Sequence, residues 1–468
     1  MHWKSGLGSK SMKHYDVVIV GGGINGCGLI RDLALNGVST LLIEKGDFSS
    51  QTSGASSKML HGGIRYLENF DFGLVQEALE EKNLWLRLTP HLCFEREFYL
   101  PLYNYSRHSP WMLKTGLFLY DFLSHFQNKP HAWLEQEATL KEIPSLEHSG
   151  LRGAGKYFDG IVDDSKLALE CLYDALIEPH ASALSYHEVT ETKKVQDGHH
   201  VTYVSSDRKI QETVHATLIV FTCGPFTDEL LPKLNIPWSP QLIPSKGIHL
   251  WLKKDAIATS GSVVLTTRDN RVVFVIPQRD AILVGTTETP VDQEIFNIHA
   301  TDKDVNYLIS VLRQYFPNSN LNDSSIISTF AGVRPLAREE SHKTHGLGKV
   351  SRHHKIFKPT SHSYVMIGGK YTTFRKMTQE LAWEIVPRLG KSYHPNLTLN
   401  PLRQHSLMPT FGSRPTLTKE LLKKIIQEEK VNNLDDLIRR RLSMIEDHKN
   451  LTSIMGLPLS DVKEILPH

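Results

Sequence analysis

Apolar and polar positions divide the chain into recognisable elements. The run YDVVIV, starting at Tyr15, is almost wholly apolar, as in a parallel strand buried on both faces. GGGINGCG follows, then the helical stretch LIRDLALNG, which Asn36-Gly37 ends. STLLIE supplies a second apolar strand, so the first predicted unit is strand, glycine-rich turn, helix, strand. Residues 71–88 put Leu74, Ala78, Trp85 and Leu88 on one helical face and stop at Thr89-Pro90. Residues 185–220 alternate and predict a β-meander that returns to the main sheet. SVVLTT, RVVFVIP and AILVGTT predict three strands of an antiparallel sheet between residues 262 and 287. After Asn400 the period becomes helical. Leu417, Leu421, Leu422, Ile425 and Ile426 share one face, and Leu434, Leu437, Ile438, Leu442 and Ile445 share another.

Three stretches fit this frame less simply. The Ser/Gly-rich segment DFSSQTSGASSKMLHGGIRYL resembles a linker in composition, but a linker would not carry HGGIRYL, so an ordered loop around a ligand is expected. Residues 111–126, WMLKTGLFLYDFLSHF, read as a core helix or domain interface; the alternative is a surface facing lipid or a quinone. Residues 344–362 are polar and basic and predict an exposed hairpin or loop.

Composition narrows the class. With 40% hydrophobic and 22% charged residues, the 468-residue chain is globular, and its length suits about three domains. Lys+Arg is 53 against 51 Asp+Glu, so no basic field exists and no nucleic-acid partner is expected. No apolar run is long enough to span a bilayer, and the polar lead-in before the first strand lacks the core of a secretory signal. The four cysteines, Cys27, Cys93, Cys171 and Cys223, are widely spaced without C-x-x-C, which suits reduced cytoplasmic thiols. The 24 histidines are scattered, and no metal site is expected.

Chemistry begins at Gly21-x-Gly23-x-x-Gly26. Gly21 permits the tight turn, Gly23 lets the backbone approach a pyrophosphate, and Gly26 allows close helix–strand packing. Glu44 closes the second strand, 18 residues after Gly26, placed to accept both ribose hydroxyls of an adenosine. A second glycine-rich cluster, IGGKYTT, returns more than 300 residues later, and Thr222-Cys223-Gly224-Pro225 looks like a third segment of the same domain. A cofactor domain assembled from distant segments favours FAD over NAD.

At these blocks the chain resembles the flavin-dependent glycerol-3-phosphate dehydrogenases, within the larger family of FAD-linked amine and D-amino-acid oxidases. GGGINGCG, TSGASSKMLHGGIRYLE, RVVFVIP with GTT, AGVRPL and GGKYTTFRK carry the resemblance, over about four-fifths of the chain. It implies FAD at the glycine turn, oxidation of sn-glycerol 3-phosphate to dihydroxyacetone phosphate, and electron delivery to a membrane quinone, or to oxygen in the oxidase branch. Residue by residue, it implies that His61, Arg65 and Tyr66 lie beside the flavin. Arg334 and Lys370 are the implied phosphate-binding cations, with Thr287 near the substrate and Thr372 and Thr373 near the flavin ring. Thr52, Ser56, Ser57, Gly224 and Gly369 complete the candidate cofactor contacts. Departures are Glu288 where the family has Asp, Tyr371 and Phe374 in place of Leu and Tyr, and a C-terminal helical domain shorter than usual.

Residue chemistry agrees. A phosphate dianion needs fixed cations, and Arg65, Arg334 and Lys370 come from three separate segments. The proton of the substrate hydroxyl calls for a base near neutrality, for which His61 and His249 compete. Arg439-Arg440-Arg441 reads as a solvated helix face rather than a lipid contact. The expected architecture is α/β. A discontinuous Rossmann-like FAD-binding domain takes residues 15–90, 150–240 and 325–400. An antiparallel substrate domain takes 91–149 and 241–324, and a short helical domain takes 401–468. The expected location is cytoplasmic, peripheral on the inner face of the membrane, with a homodimer as a further expectation. Alternatives are a flavin oxidase of an amino acid or other small acid, and a non-catalytic flavoprotein.

Overall fold

A computed structural model describes residues 12–267, 269, 271–291, 293–338, 354–410, 415–445 and 459–466. The polar lead-in before Met12 and most of the basic stretch 344–362 lie outside the described residues; of the latter, His354–Thr360 is a strand.

Two sheets organise the fold. In the first, the order is His354–Thr360, Ser363–Gly368, Gln211–Phe221, His14–Val20, Thr40–Ile43 and Ala181–Leu184. From Ser363–Gly368 to Ala181–Leu184 the neighbours pair in parallel. The apolar reading of the first strand holds for this reason: Val17, Val18 and Ile19 are fully buried between helices on one face and a second apolar layer on the other. Helices Ile24–Leu35, Asp164–Ala175 and Phe374–Arg388 supply the first layer. The predicted meander is present as antiparallel strands His187–Val195, Gly198–Ser205 and Gln211–Phe221.

The second sheet is mostly antiparallel and has ten strands. It contains the three expected strands, Ser262–Thr266, Val272–Pro277 and Ala281–Gly285. It also contains Leu151–Val162, paired along Cys93–Tyr103, and Ile326–Ala337, paired along Leu242–Lys253. The expected boundaries at residues 150 and 325 put both of these strands in the FAD-binding unit. Their hydrogen-bonding partners lie tens of residues away, which local periodicity does not reveal. The strand carrying Arg334 therefore belongs to the second sheet and brings that side chain to the junction of the two.

Helix Pro110–Leu123 covers most of the stretch 111–126, read as a core helix or domain interface with a lipid- or quinone-facing surface as the alternative. Leu117, Tyr120 and Leu123 are buried, but Trp111, Met112, Phe118 and Phe122 are exposed, as is Phe126 just beyond. The C-terminal helix Lys419–Glu428 buries Leu422, Ile425 and Ile426 in a small separate core. Arg440 and Arg441 do not form a solvated face: both are buried on Asp47, in a π-helical turn Asp436–Arg441. Among the described residues no helix is long and apolar enough to cross a membrane.

Candidate active site

The glycine turn sits at the C-terminal ends of His14–Val20 and Thr40–Ile43, the crevice where open parallel sheets hold ligands. Gly21 has φ +108°, and a Cβ on Gly26 would lie 2.0 Å from the Gly21 carbonyl oxygen. Only glycine permits both the turn and the close helix approach. Helix Ile24–Leu35 then begins with no acidic residue in its first turn and no side chain on its N-cap, Gly23. Its N-terminal residues Ile24 and Asn25 line a cavity of about 440 Å³. Backbone amides at that end suit an anionic pyrophosphate.

Glu44 lies on the same wall. Its two oxygens accept from the amides of Gly22, at 2.6 Å, and Gly46, at 2.7 Å. Burial raises its pKa above the ordinary carboxylate value, and those backbone bonds oppose the rise. A carboxylate has about four acceptor positions, so a bonded Glu44 retains capacity for ribose hydroxyls. Ser49 is also on this wall, and its buried hydroxyl has no hydrogen-bonding partner among the described residues. The cavity, the amide-bearing helix end, the oriented acid and the unsatisfied hydroxyl together fit an adenine dinucleotide.

The other end of the cavity gathers His61, Tyr66, His249, Arg334 and Lys370. Lys370 Nζ lies 4.0 Å from the centroid of the Tyr66 ring, a close cation–π contact. Arg334 lies over Gly247, where a Cβ would stand 2.6 and 2.7 Å from its guanidinium nitrogens. Its Nη2 donates to Thr286 Oγ1 at 2.8 Å and its Nη1 to the Thr287 carbonyl at 3.3 Å. Thr287, expected beside the substrate, is buried behind this arginine, and its hydroxyl accepts from the Ile248 amide. Arg65 is exposed on the 3-10 turn Ile64–Asn69 and is not among the residues lining the cavity, so two of the three expected cations converge there.

The loop side chains tie the wall together. Thr52 donates to the Val333 carbonyl, next to Arg334, and Ser56 donates to Asp164. Thr372 donates to the His61 carbonyl, joining the returning segment to the HGGIRYL block. Gly224 and Gly369 both line the cavity with positive φ. Thr373 is buried behind the wall, with its hydroxyl directed at the Lys370 carbonyl. Sequence reasoning missed Thr286, adjacent to Thr287 in GTT. It also missed Ser53, whose hydroxyl accepts from the Ile24 amide, and Asp47, an acid three residues past Glu44. For Asp47 the signal was present, an acid within the loop that follows the second strand.

His249 is fully enclosed. Its Nε2 is 2.9 Å from Ser57 Oγ, and its ring stacks on Phe330 with centroids 4.8 Å apart. Burial, with Arg334 and then Lys58 beside it, pushes its pKa from 6.5 down to about 3. It is neutral at physiological pH and too weak a base to drive proton abstraction unaided. This also fixes a pH effect. The unfolded chain takes up a proton below pH 6.5 that the folded chain refuses until about pH 3, so this group's contribution to stability is full above 6.5 and declines as pH falls. In urea unfolding, His249→Gln is expected to lose less stability than the parent between pH 6.5 and 5. Parallel losses would show that the imidazole is not held neutral.

Comparisons with known proteins agree with this fold. The family described as FAD dependent oxidoreductase matches residues 16–373. A glycerol-3-phosphate dehydrogenase of Synechocystis is 31% identical over 427 residues, covering 85% of this chain and 76% of that protein. An aerobic glycerol-3-phosphate dehydrogenase of Bacillus subtilis is 31% identical, covering 89% and 74%. The structure of a Bacillus halodurans glycerol-3-phosphate dehydrogenase complexed with FAD superposes with a TM-score of 0.72 at 21% identity, over 97% of this chain and 93% of that one.

Proposed function

Since the chain belongs to the FAD-dependent oxidoreductase family, with FAD as its cofactor, we propose that it oxidises sn-glycerol 3-phosphate at C2 to dihydroxyacetone phosphate. The observation that carries this reading is the meeting of Arg334, on a strand of the second sheet, and Lys370, just past strand Ser363–Gly368 of the first, at one cavity that His61 also lines. Bound FAD supplies the two-electron acceptor for the substrate's C2 hydride. The chain supplies position and charge. The Arg334 fork grips two phosphate oxygens, and Lys370, placed by the Tyr66 ring, adds a point charge. His61 takes the C2 hydroxyl proton. His249, neutral and oriented by Ser57, offers a hydrogen bond rather than a base. Gly21, Gly23 and Glu44 hold the dinucleotide end. An amino-acid oxidase would need a cation placed for a carboxylate alone; a paired Arg and Lys suits a dianion better.

The electron acceptor this reading assigns is a membrane quinone, with the enzyme peripheral on an anionic bilayer. The exposed stripe Trp111, Met112, Phe118, Phe122 and Phe126 supports it. Between residues 104 and 131 the one acid, Asp121, is buried and bonded to His131, while Arg107 is exposed, Lys129 is exposed 3.8 Å from Glu95, and Lys114 lies against Trp111 and Trp133. This surface is complementary to anionic headgroups. Phe118→Asp combined with Phe122→Asp is expected to abolish co-sedimentation with anionic vesicles while leaving the flavin reaction with soluble substrate intact. Vesicle binding that survives both changes would remove this face from the reading.

The reaction itself is tested on the purified FAD-bound protein without oxygen. Adding sn-glycerol 3-phosphate is expected to bleach the flavin's visible absorbance, and a short-chain quinone to restore it. Bleaching by amino acids alone would overturn the substrate assignment.

A further inference from the structure

Away from the cavity, three segments bring two imidazoles onto one buried carboxylate. Glu170 lies in helix Asp164–Ala175, His91 in the turn before strand Cys93–Tyr103, and His405 in the segment leading to the C-terminal helices. His91 Nε2 is 2.8 Å and His405 Nδ1 3.1 Å from the same oxygen, Glu170 Oε2. Glu170 Oε1 accepts from the Ser406 amide at 2.8 Å, which fixes the plane of the carboxylate. The Glu170 side chain has no exposed surface, whereas His91 is a quarter and His405 half exposed, leaving an approach from solvent.

A second observation is independent of the first. Glu429, also buried, accepts from the Leu407 amide through one oxygen, while its other oxygen has no hydrogen-bonding partner among the described residues; nor has the buried Ser406 hydroxyl. Two carboxylates thus flank residues 405–407 with no Arg or Lys side chain hydrogen-bonded to either among the described residues. Arg31 and Arg403 are both engaged on Asp174, and Arg441 and Lys166 act on the Glu429 carboxylate through space, Arg441 bonding its backbone carbonyl. A buried negative charge needs a compensating positive one.

We propose that His91, Glu170 and His405 form a binding site for Zn²⁺. Two imidazole nitrogens and a carboxylate oxygen are a zinc donor set, whereas calcium and magnesium favour oxygen alone. The three donor atoms lie within 4.8 Å of one another. Tetrahedral zinc holds ligand atoms about 3.3 Å apart, so the two contacts on Glu170 need to open by a few tenths of an ångström and the two imidazole nitrogens, within 4.8 Å of each other, to close by up to about 1.5 Å, a movement open to the half-exposed His405. Ser406 then acts as the outer partner that orients the carboxylate. The ion would pin the segment carrying His405, and the C-terminal helices behind it, to the cofactor domain. The site is independent of the assigned substrate.

The full-length FAD-bound protein, stripped of metal by a chelator and dialysed, is titrated with zinc alone by calorimetry. One saturable site is expected, with a melting temperature that rises on zinc addition. His405→Ala and His91→Ala should each weaken binding by about a hundredfold or more and abolish the melting shift. His405 is half exposed, so its replacement tests the site without threatening the core. Cobalt in place of zinc should give the visible bands of a tetrahedral ion in the parent and not in the variants. Absence of a saturable site, or binding that survives both substitutions, would overturn the proposal and leave a hydrogen-bonded His–Glu–His ion pair.

Discussion

Arg334→Ala is expected to lower kcat/KM for sn-glycerol 3-phosphate by about a hundredfold to a thousandfold while FAD content stays at the parent level. The guanidinium lies flat over Gly247 and is held from behind by Thr286 and Thr287, so its fork is already oriented. A charge-assisted pair removed from one side costs about 3–4 kcal/mol when the partner stays charged and poorly hydrated, and each 1.4 kcal/mol is tenfold. Lys370 alone would face the phosphate. Arg334→Lys keeps the charge and loses the fork, so it should fall between parent and alanine. Gly247→Ala tests the same geometry without touching the arginine, because the new Cβ would collide with the guanidinium nitrogens. FAD absorbance and steady-state kinetics report the two effects separately. Unchanged kinetics in FAD-loaded Arg334→Ala would remove this residue from the substrate site.

The contrast between Arg334 and Arg65 shows what a sequence of this kind reveals. Both stand in distinctive motif blocks, yet one faces the cavity and the other is exposed on a 3-10 turn. Motif membership places a residue to within a few positions, whereas side-chain direction depends on turn geometry that composition does not encode. The parallel sheet was legible because burial on both faces leaves an unbroken apolar run, as in Val17–Val20. The second sheet was half legible. Its short consecutive strands pair with near neighbours, but Leu151–Val162 and Ile326–Ala337 pair with strands far along the chain. Helix Pro110–Leu123 was ambiguous for a different reason: apolar on both sides, it offers periodicity no means of telling buried from exposed, and the structure has one face of each kind. Thr287 was placed in the right neighbourhood, and its part is to hold Arg334 from behind. The adjacent Thr286 does the same work and was legible only as part of GTT.

Arg440 and Arg441 gave the largest error, and they carry the second prediction. A run of three arginines on a short helix reads as solvated because guanidinium burial is rare. Here Asp47 reverses that expectation. It is buried on the cavity wall, and it accepts from Arg440 Nε at 2.5 Å and from Arg441, whose Nη2 is 2.9 Å from Asp47 Oδ1. Arg441 also donates to the Glu429 carbonyl, and Arg440 to Asp436. One carboxylate in the loop after Glu44 thus anchors the C-terminal helices against the dinucleotide end of the cavity. Asp47→Ala would leave Arg441 buried with backbone carbonyls alone among the described residues, while Arg440 keeps Asp435 and Asp436; a buried charge stripped of its partner costs about 3–5 kcal/mol. Urea unfolding followed by circular dichroism is expected to show that loss, and the loop's slackening should lower FAD retention on gel filtration. Asp47→Ala combined with Arg441→Met removes the guanidinium whose carboxylate partner is Asp47 and should recover much of the stability, since apolar replacement of a buried pair is commonly neutral, while Arg440 keeps Asp435 and Asp436. FAD retention need not recover with it, because the anchor is still missing. If Asp47→Ala alone leaves both stability and FAD content at the parent level, the C-terminal segment is not braced through this pair.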